Sequence, residues 1–96
     1  MGKPSRAEPR VVVLLPAAFA SLFPGSLRRV EVSASTVSEA VDALNAQWPG
    51  MRDRICDSTP RIRRHINVFA DGERATLDTI LRPGAEVLVM TAISGG

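Results

Sequence analysis

The final segment of the chain, residues 86–96, constrains the fold more than any other stretch. Its apolar, largely β-branched run follows the turn sequence Arg82-Pro83-Gly84-Ala85 and is typical of a buried strand. The run reaches to within three residues of the end, which reads Ser94-Gly95-Gly96. The sequence therefore predicts a rigid last strand that carries a short, flexible tail.

Two terminal glycines suit a chain end that enters a narrow channel in another protein. Without a Cβ, Gly95 and Gly96 adopt backbone conformations closed to other residues, and Ser94 adds little bulk. The Gly96 carboxylate is a poor acyl electrophile, but adenylation by ATP supplies a leaving group and opens the carbonyl to attack by sulfur. We therefore expect a C-terminal thiocarboxylate made by partner enzymes, with no bound cofactor and no catalytic side chain in this chain.

Composition limits the classes of function. A length of ninety-six residues predicts one domain. The chain has twelve basic and ten acidic residues, and this small excess of positive charge is too weak to indicate nucleic-acid binding. The single cysteine, Cys56, excludes an internal disulfide and suits a reducing compartment. His65 has no metal-ligand partner at a suitable spacing, so we expect no metal site. These features favour a cytoplasmic protein.

The N-terminal region leaves one alternative open. Basic residues precede the apolar run 11–17, as in a signal peptide. Pro16 interrupts that run, however, and Val11-Val12-Val13-Leu14-Leu15 reads equally well as a strand. No apolar stretch is long enough to cross a membrane. We expect residues 1–9 to be a disordered tail, residues 10–93 the folded domain and residues 94–96 a flexible tail.

Periodicity and turn residues predict one main helix and four to five strands. Strands are expected at 10–15, 27–33, 66–70 and 73–75, in addition to the last one, with a partly apolar loop at 16–24. The helix begins at Ser35 or Thr36 and ends at Pro49-Gly50. Residues 51–64 are the least regular, with room for one turn of helix. The apolar stripe of the main helix is Val37, Ala40, Val41, Leu44 and Trp48.

The order of elements predicts an α+β fold. Asp71-Gly72 is a strong hairpin signal, and residues 76–81 have room for one helical turn with Leu77, Ile80 and Leu81 pointing inward. A helix packed across a mixed sheet, with the first and last strands adjacent and parallel in its middle, satisfies this order.

Two surface regions are candidates for partner binding. If Val87 and Val89 face the helix, then alternation turns Leu88 and Met90 to the uncovered face of the sheet, where Phe69 joins them. Arg61, Arg63 and Arg64 form a basic cluster just before a strand, which is either a solvated edge or a docking patch for an acidic surface.

Three motifs in this order resemble the MoaD/ThiS family of sulfur carriers. They are Ile66-Asn67-Val68-Phe69-Ala70-Asp71-Gly72-Glu73, then Leu81-Arg82-Pro83-Gly84-Ala85-Glu86-Val87, then Ala92-Ile93-Ser94-Gly95-Gly96. Within the family, the length and the Arg-rich lead into His65 look most like the CysO-type cysteine-synthesis carriers. The longer 51–64 segment departs from the shortest, thiazole-type members.

The resemblance implies a ubiquitin-like β-grasp fold and two kinds of partner. A ubiquitin-activating-like enzyme would adenylate Gly96 with ATP, and a sulfur-accepting biosynthetic enzyme would take the sulfur from the thiocarboxylate. The alternatives are the small subunit of molybdopterin synthase, whose tail completes a partner's active site, and a modifier that joins Gly96 to lysine. An RNA-binding β-grasp domain is a third reading, although no aromatic residues accompany the arginines.

Overall fold

The fold is a five-stranded mixed sheet with helices on one of its faces. The computed structural model describes residues 9–91; Ser94, Gly95 and Gly96, and residues 1–8 of the predicted N-terminal tail, lie outside that range. The elements are β1 (Arg10–Leu14), α1 (Ala18–Leu22), β2 (Arg29–Ser33), α2 (Val37–Gln47), α3 (Met51–Ile55), β3 (Ile66–Ala70), β4 (Glu73–Arg74) and β5 (Glu86–Thr91).

The strands are ordered β2-β1-β5-β3-β4, so that β1 and β5 are neighbours and β5 lies at the centre. β5 pairs parallel with β1, placing Leu88 opposite Leu14, and antiparallel with β3, placing Leu88 opposite Phe69. β1 and β2 form an antiparallel hairpin. The predicted adjacency of the first and last strands is confirmed, and with the helices on one face it gives the ubiquitin-like β-grasp arrangement.

The second hairpin, β3 to β4, turns at Asp71-Gly72 as predicted. Both residues have positive φ, 50° and 87°, which is the requirement of a two-residue type I′ turn. The turn fixes the register of the hairpin, so that Phe69 lies opposite Arg74 and Ala70 opposite Glu73. The Asp71 carboxylate also accepts a hydrogen bond from the Glu86 amide at 2.9 Å, which ties the turn to the start of β5.

Helix α2 packs its predicted stripe on the inner face of the sheet. The Thr36 hydroxyl accepts a hydrogen bond from the Glu39 amide at 3.1 Å, and the Glu39 carboxylate accepts one from the Ser35 amide at 2.8 Å. This reciprocal cap satisfies amides that the first turn leaves unpaired. The buried stripe residues are Val37, Ala40, Val41 and Leu44, which join one core cluster with Val11, Val13, Val68, Val87 and Val89.

Three details differ from the sequence prediction. Residues 16–24 contain the short helix α1, whose Phe19 is 2% exposed in the core. Residues 76–81 form a turn and an isolated bridge between Ile80 and Thr36 rather than a helical turn. The inward placement of Ile80 was wrong, because the extended bridge sends neighbouring side chains to opposite sides and Leu81 takes the buried side. Ile80 is 71% exposed.

The irregular segment after α2 is anchored at both ends. The predicted turn of helix is α3, which buries Met51 and Ile55. An isolated bridge pairs Cys56 with Ile62, and the Arg63 amide donates to the Ile55 carbonyl at 2.9 Å. The segment therefore forms a closed loop whose exposed part, residues 58–61, carries Arg61.

Leu44→Ala tests the packing of α2. Leu44 is 1% exposed, so we expect the substitution to lower the free energy of unfolding by about 2 to 5 kcal/mol. The matched control is Leu27→Ala, because Leu27 is 61% exposed and its loss should change stability by less than about 0.5 kcal/mol. Chemical denaturation measures both. Equal effects from the two variants would contradict the described core.

Candidate functional site

The uncovered face of the sheet presents a band of apolar side chains, here called the outer face. Alternation in β5 buries Val87 and Val89 on the helix side, each 2% exposed, and turns Leu88 and Met90 the other way. This orientation was predicted and is confirmed. Leu88 is half-buried and Met90 is 44% exposed. The outer face comprises Val12, Leu14, Phe69, Leu88 and Met90.

Strand register places three of these side chains in one row across the sheet. Leu88 of β5 is paired with Leu14 on the parallel strand β1 and with Phe69 on the antiparallel strand β3. The row ends at an arginine on each side, Arg29 opposite Leu14 and Arg74 opposite Phe69. An apolar strip with cationic ends is thus built directly onto the strand that leads to the chain terminus.

Arg74 is held against the outer face by two contacts. Its guanidinium carbon lies 5.7 Å from the centroid of the Phe69 ring, a cation–π distance. One of its terminal nitrogens donates to the Asn67 side-chain carbonyl at 3.0 Å. These contacts fix the guanidinium at the border between the outer face and the β4 edge of the sheet.

The last described residue, Thr91, lies where the sheet ends. It pairs with Ile66, the first residue of β3. On the other side of β5, the pairing with β1 ends three residues earlier, where Leu88 pairs with Leu14. Met90 precedes Thr91 on the outer face. Ser94, Gly95 and Gly96, the predicted reactive tail, follow outside the described residues.

The three predicted arginines lie apart from the outer face, in a groove along the β4 edge. The groove has a volume of about 620 Å³. It is lined by Arg61, Arg63 and Arg64 and also by Arg74, which is hydrogen-bonded to Asn67. Arg74 therefore belongs to both surfaces. We call this feature the arginine groove, defined by these four arginines.

The loop that carries Arg61 is held by Asp57. Its carboxylate accepts hydrogen bonds from the Thr59 hydroxyl and amide and from the Arg61 amide, the last at 3.0 Å. These bonds, led by the one from the Thr59 hydroxyl, hold the pKa of Asp57 below its usual range. The carboxylate is thus engaged with the loop backbone near the arginine side chains.

Cys56 and His65 play no part in the outer face. Cys56 is 2% exposed, and burial raises the pKa of its thiol although Arg52 opposes the shift. A protonated, buried thiol is a weak nucleophile. Among residues 9–91, no group of His, Cys, Asp and Glu side chains is arranged to hold a metal ion, and no helix there is long and apolar enough to span a bilayer.

Sequence reasoning did not identify four residues of these two surfaces. Val12 and Leu14 occupy outer positions of β1, and the alternation of that strand was a signal that could have found them. Arg74 and Asn67 were also missed. The type I′ turn places the residue five positions after Phe69 directly opposite it, so the hairpin signal contained the position of Arg74 as well.

Comparison with known proteins finds one matching family model. The model described as the ThiS family matches residues 13–96, which includes the last strand and the terminal glycines. The chain is 35% identical over 69 residues to small archaeal modifier protein 1 of Haloferax volcanii, covering 71% of this chain and 79% of that protein. The crystal structure of that modifier superposes with a TM-score of 0.75 at 32% identity, covering 91% and 99% of the two chains.

Two further solved structures share the fold. One is a chain of the Amycolatopsis orientalis BexX/CysO complex, with a TM-score of 0.81 at 24% identity over 90% of this chain and 99% of that one. The other is Mycobacterium tuberculosis CysO, with a TM-score of 0.77 at 22% identity over 86% and 99%. At these identities the likeness establishes the β-grasp fold.

Paired arginine substitutions in β5 test the orientation of its side chains. We expect Met90→Arg to change the free energy of unfolding by less than about 0.5 kcal/mol, because the new charge stays in water. Val89→Arg places a charge in the core and should cost several times more, of the order of 3 kcal/mol or above. Denaturant titration of both variants checks this; a destabilised Met90→Arg would show that the outer face is covered.

Proposed function

Because this chain belongs to the ThiS family of small ubiquitin-like carrier and modifier proteins, we propose that it is a sulfur carrier that works through its C-terminal carboxylate. The carboxylate of Gly96 is adenylated by a partner enzyme and then converted to a thiocarboxylate. The observation that carries the proposal is that the family match extends through residue 96 and so includes Ser94-Gly95-Gly96.

The proposed chemistry needs no side chain of this protein. A carboxylate oxygen of Gly96 attacks the α-phosphorus of ATP and pyrophosphate leaves, which gives an acyl adenylate. A sulfide or persulfide sulfur then attacks the acyl carbon and AMP leaves. With sulfide the product is the thiocarboxylate directly; with a persulfide, reductive cleavage of the acyl disulfide by a thiol releases it. The buried thiol of Cys56 is consistent with this division of labour, in which the partners supply the nucleophile.

The outer face is the proposed docking surface for the activating enzyme and for the sulfur-accepting enzyme. It is apolar, no helix within residues 9–91 covers it, and β5 leads from it toward the tail, so a partner that holds Leu88 and Met90 receives Gly96 in a defined direction. Phe69 enlarges the same surface. A second contact with a partner is predicted at Arg61, Arg63 and Arg64. The setting is the cytoplasm, where ATP is available.

We favour a cysteine-type pathway as the destination of the sulfur, because the Arg-rich segment that leads into β3 resembles that of the cysteine-synthesis carriers. Two alternatives share the fold. One is the small subunit of a molybdopterin synthase, whose tail reaches into the catalytic subunit. The other is a protein modifier, favoured by the 35% identity to small archaeal modifier protein 1, in which Gly96 forms an isopeptide bond with a lysine.

Intact mass spectrometry tests the carrier function. After incubation with ATP, a cognate activating enzyme and sulfide, we expect a mass increase equal to the replacement of one oxygen by one sulfur. A variant that lacks Gly96 should remain folded and show no increase. An unchanged mass with an activating enzyme that loads a related carrier would contradict the proposal, and conjugates that survive reducing denaturation would favour the modifier.

Met90→Arg tests the docking role of the outer face. We expect the variant to be loaded at least about tenfold more slowly at low activating-enzyme concentration, because a charge at the centre of an apolar interface must be desolvated. Ile80→Arg is the matched control, since Ile80 is an exposed apolar residue away from the outer face and should load normally. Equal loading of the two variants would place the docking surface elsewhere.

A further inference from the structure

The arginine groove is a concave surface outside the outer face. It is lined by the loop 60–64 and by residues 74–78, which begin with the last residue of β4. Ser38, in the first turn of α2, also lines it. With a volume of about 620 Å³, the groove is large enough for several amino-acid residues or a drug-sized molecule.

The charge in the groove is strongly unbalanced. Four arginines line it, against the carboxylate of Asp78 in the groove and that of Asp57 beside it, which interacts with the charge of Arg63; this leaves a formal excess of two positive charges (4 − 2). Among residues 9–91, the ion pairs lie elsewhere on the domain and none involves a groove arginine. They join Arg10 to Glu31, Arg29 to Glu31 and Arg52 to Asp42.

The Asp57 carboxylate offsets part of the charge of Arg63, whereas Arg61, Arg64 and Arg74 form no ion pair with the described residues. Arg63 donates through Nε to the Asp53 carbonyl at 2.6 Å, and Arg74 donates to the Asn67 side chain. Both acceptors are uncharged. Arg61 and Arg64 are exposed at the rim, with the Asp57 carboxylate bonded to the loop backbone beside them. The positive potential of the groove is therefore available to a ligand from outside.

The amides at the N-terminus of α2 do not contribute to this potential as donors. The Val37 amide donates to the Thr79 carbonyl at 3.1 Å and the Ser38 amide to the Leu77 carbonyl at 2.9 Å. The Glu39 amide is bonded to the Thr36 hydroxyl. Recognition in the groove therefore depends on guanidinium groups, which bind carboxylates through paired hydrogen bonds.

The form of the groove favours an extended ligand over a small anion. Its cationic groups come from two separate segments, residues 61–64 and Arg74, and no polar or charged side chain in residues 9–91 is buried, so no set of enclosed donors converges on one point. The aliphatic residues Ile62, Ile66 and Leu77 also line the groove; Ile62 is partly exposed and the other two are buried. A ligand that matches this surface alternates carboxylate and aliphatic groups.

We propose that the arginine groove binds an acidic, extended segment of a partner protein, with carboxylates on Arg61, Arg64 and Arg74 and an aliphatic side chain between them. Arg74 borders the outer face, so a partner docked there can reach the groove without a break in the contact surface. The groove is independent of the chemistry at Gly96 and would serve a carrier or a modifier equally.

The test uses a fluorescein-labelled peptide that alternates Glu and Val, with the full chain as receptor. We expect binding by fluorescence anisotropy at moderate salt, about 0.15 M, with amide NMR shifts confined to residues 60–68 and 74–78. The counterpart with Gln in place of Glu should not bind. Arg61→Glu with Arg64→Glu should weaken binding by at least about tenfold.

The matched control carries the same change in net charge at exposed arginines outside the groove. Arg28→Glu with Arg82→Glu should keep the affinity within about twofold, because Arg28 lies beside β2, at the sheet edge opposite β4, and distant charges are screened at moderate salt. Equal loss in both double variants would reduce the effect to net charge and overturn the proposal. So would absence of peptide binding, tighter binding of a short oligouridylate, or displacement of the peptide by inorganic phosphate at concentrations similar to the peptide's.

Discussion

The parallel pairing of β1 with β5 is the constraint on which the rest of the structure depends. Two parallel strands cannot be joined by a tight turn, so the chain between them has to leave the sheet and return. It does so through α2, which covers the inner face, and then through β3 and β4, which extend the sheet on the other side of β5. β5 thereby becomes the central strand, and its residues are paired with a neighbouring strand on each side.

This arrangement gives the two faces of β5 different tasks. Val87 and Val89 bind the strand to the core, whereas Leu88 and Met90 remain on a face that no described helix covers. Because successive side chains alternate, the same six residues pack into the core on one side and line an apolar surface on the other. If the outer face is the docking surface proposed above, stability and recognition are separated within one strand.

Charge is distributed unevenly around this scaffold. Acidic residues at positions 31 and 42 neutralise arginines on β1, β2 and α3, and Asp57 is bonded to its own loop. At the β4 edge, Arg63 and Arg74 donate their hydrogen bonds to neutral acceptors. A net charge of +2 for the whole chain therefore conceals a local cationic groove next to an apolar face. A partner that is apolar in one part and acidic in another matches both surfaces.

The sequence by itself determined the elements whose signals are local. The stripe and cap of α2, the Asp71-Gly72 turn and the alternation of β5 each depend on neighbours within one turn or one strand, and the family motifs identified the β-grasp fold. Only the tertiary structure decided which apolar residues of irregular segments are buried. Phe19 lies in a short helix and Ile80 points outward, because their environments are built by distant strands and by Thr36. The arginine groove has the same origin, since Arg74 and the arginines at positions 61, 63 and 64 line one groove only in the folded chain, and spacing along the sequence does not predict that proximity.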